Sequence, residues 1–467
     1  MNKFEHTAKF TANTKKLFIK TWGCQMNVYD SNRMADVLAP LGYAQVDSPD
    51  DADMVILNTC HIREKATDKV FSDLGRLKTL KNKKEDKGEQ MIMAVAGCVA
   101  QAEGDFILER APYVDMVFGP QTYHELPEMV AKATGAYGDA RIVNTEFPGD
   151  NKFDKLPEEM ANTGISEFLS IQEGCDKFCA FCVVPYTRGA EYSRGAQEIL
   201  DEAKRLVDGG ALEITLLGQN VNAFHGTAPG GKGIWSLADL IHAVNEIEGL
   251  ERIRYTTSHP RDMDDDLIAA HALPKLQPFL HLPVQSGSDK ILKAMNRKHK
   301  RDLFFDIVER LRKARPDLTF SSDFIVGFPG ETEEDFEDTM DLIRRVGFVS
   351  TYSFKYSARP GTPAANMTNL VHDKIASERL ARLQGLINEQ QIAFNKKSKG
   401  LTMGVILDRR GKKPGQLVGR SPYNQSVFVE AGDEYMNTLT DIHIEEGFDN
   451  SLQGRLANTT NKKESAV

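Results

Sequence analysis

Short apolar runs alternate with amphipathic segments along the first third of the chain. Four runs of strand length, each ended by a polar or glycine-containing turn, predict buried strands at 17–21, 54–58, 91–96 and 114–118. After the first run, Met34, Val37 and Leu38 recur at helical spacing, and Gly42 follows where a helix C-cap is expected. The pattern predicts an α/β domain with a parallel sheet over residues 15–132.

The middle of the chain repeats the alternation of strand and helix. Six apolar runs, most of them separated by a helical segment, predict strands at 167–172, 212–219, 252–258, 278–285, 318–328 and 352–357. Six such units over residues 161–398 are typical of a partial (β/α)6 barrel of the TIM type. In that fold the chemistry lies at the carboxyl ends of the strands.

The last part of the chain changes pattern again. Residues 371–399 read as one long amphipathic helix, which Gly400 ends. The short alternating runs that follow, separated by Gly and Pro turns, predict a small antiparallel β-barrel over residues 400–463.

Composition and charge narrow the class of protein. With 467 residues, 41% hydrophobic and 27% charged, the chain fits a globular protein of two or three domains. It has no apolar stretch of membrane-spanning length and no signal-peptide core near residue 1, so we expect a cytoplasmic protein with no membrane partner, by default a monomer. The net charge of −9 argues weakly against nucleic acid, but basic residues cluster at 396–420 and can bind phosphate.

Three of the six cysteines stand close together. Cys175, Cys179 and Cys182 form a C-x₃-C-x₂-C pattern directly after the first predicted barrel strand. Electron-carrying iron–sulfur clusters ordinarily take four cysteines, so a set of three leaves one iron open to another ligand. A zinc site is the alternative, but structural zinc favours C-x₂-C pairs and four ligands. The pattern therefore favours a cluster with an open iron.

The other three cysteines are far apart in sequence but similarly placed. Cys24, Cys60 and Cys98 each follow an apolar run, with successive separations of 36 and 38 residues. Because the carboxyl ends of parallel strands lie at one edge of a sheet, we expect these thiols to converge on a second three-thiolate site. The alternative is three buried structural cysteines. If all six cysteines belong to two such sites, none is left for a disulfide framework. This favours a reducing compartment.

In their order, these parts resemble the radical SAM methylthiotransferases. The segments that carry the resemblance are TWGCQMNVYDS, NTCHIREKATDKVFSDLGRLK, AGCVAQ, CDKFCAFCVVPYTRG, DFIVGFPGETEEDFEDT and GRSPYNQSV. The resemblance implies two 4Fe–4S clusters: one on Cys24, Cys60 and Cys98 that handles sulfur, and one on the C-x₃-C-x₂-C triplet. The second cluster binds S-adenosylmethionine and yields a 5′-deoxyadenosyl radical. The C-terminal barrel corresponds to an RNA-binding TRAM domain.

The resemblance also implies a reaction. Relatives that modify a ribosomal protein usually have Pro and Lys where this chain has Gln25 and Met26. The expected reaction is insertion of sulfur and a methyl group at carbon 2 of N6-isopentenyladenosine beside the anticodon, with one S-adenosylmethionine as methyl donor and one as radical source. The same chemistry on a ribosomal protein or on threonylcarbamoyladenosine, and a non-catalytic iron–sulfur RNA sensor, stay open. Expected partners are a tRNA anticodon stem-loop, an electron donor such as a flavodoxin, and iron–sulfur or sulfur carrier proteins.

Polar and glycine residues near later strand ends are candidates for binding S-adenosylmethionine. Gln219 and Asn220 end the second barrel strand, where relatives hold the methionine part. Gln285 and Asp323 are expected at later strand ends, near the ribose or carboxylate. The backbone of two glycines, Gly327 and Gly330, is expected to approach the adenine. Another candidate set, for an adenosine pocket, is His61, Arg63 and Glu64, with solvent-facing helix residues as the alternative.

Basic residues of the C-terminal barrel are candidates for RNA binding. They lie in a predicted hairpin and just after it: Arg409, Arg410, Lys412, Lys413 and Arg420. Basic residues of the segment 297–301 are expected to extend this surface. Tyr423 offers a stacking surface, whereas Phe428 is expected in the barrel core.

Overall fold

The computed structural model describes residues 14–60, 66–135, 141–148, 151–157 and 163–457. The candidates His61, Arg63 and Glu64 therefore lie outside the described residues, as do 161–162 and 458–463 at the ends of two predicted domains. The predicted domain boundaries stay predictions. The chain folds as two compact units, each with its own sheets and helices.

The first unit contains one fully parallel sheet of six strands in the order β2-β1-β3-β4-β5-β6. Its strands are β1 (Lys15–Thr21), β2 (Tyr43–Gln45), β3 (Met54–Thr59), β4 (Ile92–Gly97), β5 (Met116–Phe118) and β6 (Ile142–Asn144). Its helices are α1 (Gln25–Leu38), α2 (Ala66–Glu85), α3 (Cys98–Arg110) and α4 (Leu126–Ala133). The parallel α/β fold is as predicted, and β2 and β6 are additional short strands at its edges.

Both faces of this sheet are buried, which explains the unbroken apolar runs of its central strands. Successive side chains of β3 point to opposite faces. Met54 and Ile56 pack in a cluster with residues of α1 and α4. Val55 and Leu57 pack in a second cluster with residues of α2 and α3. Helices therefore pack against both faces of β3.

The central part consists of two three-stranded parallel sheets, β13-β10-β7 and β14-β15-β16. A parallel bridge between Ile253 and Leu276 links the two. The strands are β7 (Ser166–Ser170), β8 (Gln172–Glu173), β9 (Tyr192–Ser193), β10 (Glu213–Leu217), β11 (His225–Thr227), β12 (Ile234–Ser236), β13 (Arg252–Thr256), β14 (Phe279–His281), β15 (Thr319–Val326) and β16 (Ser350–Lys355). All six predicted barrel strands are present.

Four of the seven helices that the structure describes in this part begin at a capping side chain. The seven are α5 (Val184–Thr187), α6 (Ala196–Asp208), α7 (Leu237–Asn245), α8 (Asp265–Ala270), α9 (Asp289–Ala294), α10 (Arg301–Ala314) and α11 (Glu333–Val346). Ser236 with Asp239, and Thr332 with Asp335, form reciprocal capping boxes at the starts of α7 and α11. The six parallel strands and the helices between them confirm the predicted partial (β/α)6 arrangement.

A long helix, α12 (Asp373–Lys397), follows β16 and precedes the C-terminal barrel. Near its start, Arg379 is paired with Glu331 at 2.7 Å. Near its end, the Asn395 amide donates to the Phe448 carbonyl at 2.7 Å. The helix therefore contacts both parts of the unit. Among the described residues, none of the helices combines the length and apolarity needed to cross a bilayer.

The C-terminal barrel is closed by five strands in the order β17-β18-β19-β21-β20. They are β17 (Thr402–Arg410), β18 (Gln416–Arg420), β19 (Ser426–Glu430), β20 (Thr438–Gly447) and β21 (Leu452–Leu456). Four strand pairs are antiparallel as predicted, whereas β19 and β21 pair in parallel. These two run in the same direction because β20, which lies between them in sequence, runs the opposite way. Val427 and Val429 fill the barrel core, so the expectation for Phe428 was wrong: it stacks on Phe448 outside the core cluster.

Two arginines attach this barrel to the amino-terminal ends of β10 and β13. Arg252 donates to the carbonyls of Gly404 and Arg420 at 2.6 and 3.1 Å. Arg254 donates to the carbonyls of Ser421 and Pro422 at 3.0 Å, and to the carboxylate of Glu213 at 2.8 Å. These bonds fix the barrel against the end of the sheet opposite to the carboxyl edge.

Candidate active site

The three separate cysteines lie at the carboxyl edge of neighbouring strands. Cys24 is the N-cap of α1, shortly after β1, and Cys60 directly follows β3. Cys98 directly follows β4 and begins α3. Strands β1, β3 and β4 are consecutive in the sheet, with Thr59 in register with Gly97. The geometry therefore places the three thiols at one edge, where ligands bind in parallel α/β folds.

The thiols interact with one another and with nearby polar groups. A hydrogen bond with Cys60 lowers the pKa of Cys24 to about 6, although burial opposes the shift. The Cys24 thiol is also 3.3 Å from Oδ1 of Asn27. Burial raises the pKa of Cys98, and Arg188, which donates to this sulfur, opposes the rise. Since thiolates are the metal-binding form, the site favours that form at Cys24.

Two glycines allow the turns that carry the cysteines to approach each other. Gly23 has φ of +119°, and a Cβ there would lie 2.3 Å from Cβ of Cys60. Gly97 has φ of +88°, and a Cβ there would lie 2.4 Å from the carbonyl oxygen of Thr59. Side chains at these positions would push the cysteine turns apart.

The donor set fits an iron–sulfur cluster. Among the described residues, no three His, Cys, Asp or Glu side chains are grouped as ligands of a single metal ion. In a 4Fe–4S cluster each cysteine thiolate binds a different iron. Three cysteines on consecutive strand ends, beside glycine turns that a Cβ would block, match this requirement.

A buried charge network lies beside these cysteines and was not predicted. Arg188, 3% exposed, donates to Asp30 and to Glu173, both at 2.6 Å. Lys152 is paired with Glu173 at 2.6 Å and donates to the Pro120 carbonyl at 2.9 Å. Burial by itself would lower the pKa of Arg188, but the carboxylate of Asp30 and other anionic neighbours hold it well above the usual value. A positive charge is therefore fixed next to Cys98.

The C-x₃-C-x₂-C loop is held by backbone hydrogen bonds. The Cys175 amide donates to the Gly189 carbonyl at 3.3 Å, and the Cys182 amide donates to the Cys179 carbonyl at 3.0 Å. Gly174, with φ of +74°, has no room for a Cβ, which would lie 1.9 Å from the Ala190 carbonyl oxygen. Cys179 is buried, whereas Cys175 and Cys182 are half-buried. The donor set fits a cluster bound by a local loop.

Asn220, which follows β10 with Gln219, belongs to a buried polar chain. Its amide Nδ2 donates to Asp262 at 2.8 Å, and Asp262 is paired with Lys177 at 2.8 Å. Oδ1 of Asn220 is buried and has no hydrogen-bond partner among the described residues. Gln219 is half-buried. The unused acceptor fits the predicted role of this loop in holding a polar ligand.

Gln285 and Asp323 lie on neighbouring backbone, but not at strand ends as expected. Gln285, with φ of +75°, lies beyond the end of β14, and its amide donates to the Asp323 carbonyl at 2.9 Å. Asp323 lies within β15, which continues to Val326. Its carboxylate is 3.6 Å from Nε2 of His281. The long strand therefore displaces Asp323 from the edge, and its predicted ligand contact stays a prediction.

The two glycines after β15 differ in their surroundings. A Cβ at Gly327 would lie 2.7 Å from Cβ of Ala376, so this glycine allows α12 to pack closely. A Cβ at Gly330 would meet no atom within 4 Å, although its φ of +82° still favours glycine. Only Gly330 therefore leaves open space of the kind that a ligand needs.

Four of the predicted RNA-binding residues lie on or beside the turn between β17 and β18, whereas Arg420 lies at the other end of β18. Lys412 and Lys413 are exposed in the turn, and Arg410 is exposed and paired with Asp433 at 3.0 Å. Arg409 and Arg420 are half-buried, and burial lowers the pKa of Arg420. The exposed part of the patch is thus smaller than the sequence suggested. Tyr423 is half-buried between Phe394 and Asp317, so it offers little free ring surface.

Two family models match the chain. Residues 16–119 match the uncharacterized protein family UPF0004, and residues 169–343 match the Radical SAM superfamily. The tRNA-2-methylthio-N(6)-dimethylallyladenosine synthase of Maricaulis maris is 57% identical over 457 residues, which cover 97% of this chain and 99% of that protein. The protein of the same name from Rickettsia felis is 56% identical over 446 residues, with coverage of 95% and 100%.

Solved structures are similar in fold at low sequence identity. One is the cobalamin-dependent S-adenosylmethionine radical enzyme OxsB with aqua-cobalamin and S-adenosylmethionine bound, with a TM-score of 0.53 at 11% identity, covering 81% of this chain and 56% of that one. Another is the radical S-adenosylmethionine methyltransferase TsrM from Kitasatospora setae, with a TM-score of 0.52 at 12% identity and coverage of 87% and 80%. They support the radical SAM fold. Since more than half of its residues are identical to the two synthases over nearly the whole length, the chain belongs to the radical SAM methylthiotransferases, in the branch of the tRNA-2-methylthio-N(6)-dimethylallyladenosine synthases.

Proposed function

We propose that this protein inserts sulfur and a methyl group at carbon 2 of N6-dimethylallyladenosine in tRNA. The observation that carries the proposal is the presence of two separate three-cysteine sets: one on a local loop after β7 and one at the ends of β1, β3 and β4. The names of the relatives from Maricaulis maris and Rickettsia felis support the same substrate.

The chemistry explains why two sets are needed. The C2–H bond of adenine is unactivated, so its replacement requires a radical, which the cluster-bound S-adenosylmethionine supplies while the protein supplies position. Sulfur and the methyl group must come from elsewhere: the sulfur from the site of Cys24, Cys60 and Cys98, and the methyl group from a second S-adenosylmethionine. Because the cluster needs electrons and the sulfur must be replaced, we also propose partners that deliver each, such as a flavodoxin and a sulfur carrier protein.

The loops after β10 and β14 are proposed to bind S-adenosylmethionine. Asn220 supports this proposal because its buried Oδ1 has no hydrogen-bond partner in the described part of the chain. Gln285 supports it because its backbone has φ of +75°, a conformation in which a non-glycine residue usually serves a specific contact. The proposed set is completed by Gln219, by Asp323 within β15, and by Gly327 and Gly330 in the loop after β15.

The turn between β17 and β18 is proposed to bind tRNA phosphates. Replacing Arg410, Lys412 and Lys413 together by glutamine should weaken tRNA binding. The negative slope of log K against log salt should become less steep by about two to three, since each lost phosphate contact contributes roughly 0.7–0.9. The measurement is fluorescence anisotropy of a labelled anticodon stem-loop at several salt concentrations. As a control, glutamine at Arg344 and Arg345, two exposed arginines of α11, should leave the slope unchanged. An equal change in both variants would contradict the proposed surface.

The proposed reaction is tested by anaerobic incubation of iron-reconstituted protein with S-adenosylmethionine, dithionite and tRNA that carries the dimethylallyl group. Nucleoside mass spectrometry should detect the 2-methylthio product. Formation of 5′-deoxyadenosine with unmodified tRNA would indicate another substrate for the same chemistry, for example a ribosomal protein or threonylcarbamoyladenosine. Protein that holds both clusters but forms neither product would favour a non-catalytic iron–sulfur sensor.

A further inference from the structure

The segment that follows α9 is bonded to the cluster loop along its length. The Ala180 amide donates to the Met295 carbonyl at 2.9 Å, and the Asn296 side chain donates to the Phe178 carbonyl at 2.8 Å. Asn296 and Lys298 both have φ of +60°, which is uncommon for residues other than glycine. Such backbone strain at two neighbouring positions is maintained only where the surroundings require it.

The residue between these two strained positions turns inward to a cluster ligand. Arg297 is 5% exposed, and its Nη1 donates to Sγ of Cys179 at 3.4 Å. Its Nη2 donates to the Pro283 carbonyl, while Nε is buried without a hydrogen-bond partner among the described residues. The sequence suggested that the basic residues of 297–301 extend an RNA-binding surface. For Arg297 that expectation was wrong, because the turn after α9 directs it into the interior.

Two buried histidines lie beside this arginine and carry no charge at neutral pH. The rings of His259 and His299 meet edge to face at 5.5 Å. Burial lowers the pKa of His299 to about 4 and lowers that of His259 further, and the charge of Arg297 contributes to both shifts. Lys177 is paired with Asp262 at 2.8 Å. In the described part of the chain, the cation with a hydrogen bond to the Cys179 sulfur is thus the Arg297 guanidinium.

We propose that Arg297 is a positioning residue for the cluster of the C-x₃-C-x₂-C loop, which it holds through Cys179 and whose reduction potential it raises. The inference rests on the proposed function, since it requires a cluster on this loop. Hydrogen bonds to ligand sulfurs are among the factors that set cluster potentials. A charged donor makes a stronger bond than a neutral one, and the added electron increases the negative charge that the guanidinium stabilises.

The test compares full-length, iron-reconstituted wild type with Arg297→Met and Arg297→Lys. The midpoint potential is measured by EPR-monitored redox titration of the signal that changes when S-adenosylmethionine is added. For Arg297→Met, the ratio of reduced to oxidised cluster at a fixed potential should fall about tenfold, which is ~59 mV for a one-electron couple. Arg297→Lys keeps the charge but not the planar fork, so its shift should have the same direction and be smaller.

Arg315 provides a matched control within the same unit. It too donates to backbone carbonyls, those of His271 and Leu273, but the structure gives it no contact with a cysteine among the described residues. Arg315→Met should therefore leave the midpoint potential unchanged.

An unchanged potential in Arg297→Met, or an equal shift in Arg315→Met, would overturn the inference. If Arg297→Met does not retain iron, Arg297→Lys decides: a shifted potential supports the inference and a wild-type potential overturns it. A wild-type protein without any signal that responds to S-adenosylmethionine would instead defeat the proposed function.

Discussion

Replacing Cys98 by alanine should abolish the methylthio product while 5′-deoxyadenosine is still formed from S-adenosylmethionine. Cys98 lies at the end of β4 among the strand-end cysteines and is not part of the C-x₃-C-x₂-C loop. Loss of a group that merely supports a metal ligand costs about 10–100-fold, so loss of the ligand should cost more than that. The measurement is nucleoside mass spectrometry, with 5′-deoxyadenosine quantified in the same reaction.

The matched control for Cys98→Ala is Cys175→Ala, which removes a ligand of the other set. This variant should form neither the product nor 5′-deoxyadenosine. If Cys98→Ala also stops the formation of 5′-deoxyadenosine although it retains the iron of the loop cluster, the two sets do not have separate tasks. Wild-type product formation by Cys98→Ala would remove the strand-end site from the reaction altogether.

Replacing Arg188 by methionine should lower the free energy of unfolding by about 3–5 kcal/mol, the usual cost of leaving a buried charge without its partner. Arg188 satisfies Asp30 and Glu173 at once, and all three side chains are almost fully buried. Without it, the two carboxylates remain in the interior with Lys152 as the cation paired to Glu173. Urea denaturation of the metal-free protein, followed by circular dichroism, measures the change.

An exposed arginine of the same unit is the control for Arg188→Met. The Arg76 side chain is 80% exposed and lies 3.6 Å from Asp73. Because exposed ion pairs contribute little, Arg76→Met should change the free energy of unfolding by less than about 1 kcal/mol. Equal losses in the two variants would contradict the buried network as the source of the effect. A second change, Asp30→Asn in the Arg188→Met background, should restore part of the loss.

Strands with strong apolar runs could be predicted from the sequence, and weak ones could not. Every residue of β3 and β4 is buried, so their runs stand out against the polar turns that follow. In contrast, β2 and β6 are three-residue edge strands, and apart from Tyr43 their side chains are only half-buried. A segment of three residues is too short to show the alternation of apolar and polar residues that identifies a strand. Its pairing also depends on a neighbour that is distant in sequence.

The placement of the strand-end cysteines could be predicted, but the charged residues around them could not. A strand end fixes where Cys60 and Cys98 lie, whatever the rest of the chain does. The sequence contains no signal for Arg188, and it suggested an RNA-binding surface for the segment that contains Arg297. The burial of each arginine depends on the direction in which a turn points its long side chain. The local pattern of polar and apolar residues does not indicate that direction.

Gly327 illustrates the same limit at a glycine. Its position after β15 suggested close approach of a ligand, and that contact stays a prediction. The structure adds Ala376 of α12 as a close neighbour, which the sequence could not show because Ala376 is distant in sequence.

The contacts at the two ends of α12 give this helix a mechanical consequence. Ala376 lies against the loop after β15, and Asn395 is bonded to the C-terminal barrel, a separation of roughly 30 Å along the helix axis. A straight helix of this length acts as a lever, so a tilt of about 5° at one end displaces the other by roughly 2–3 Å. A force on the barrel would therefore act through α12 as a torque on the loop that begins at Gly327, beside the share borne by the bonds of Arg252 and Arg254.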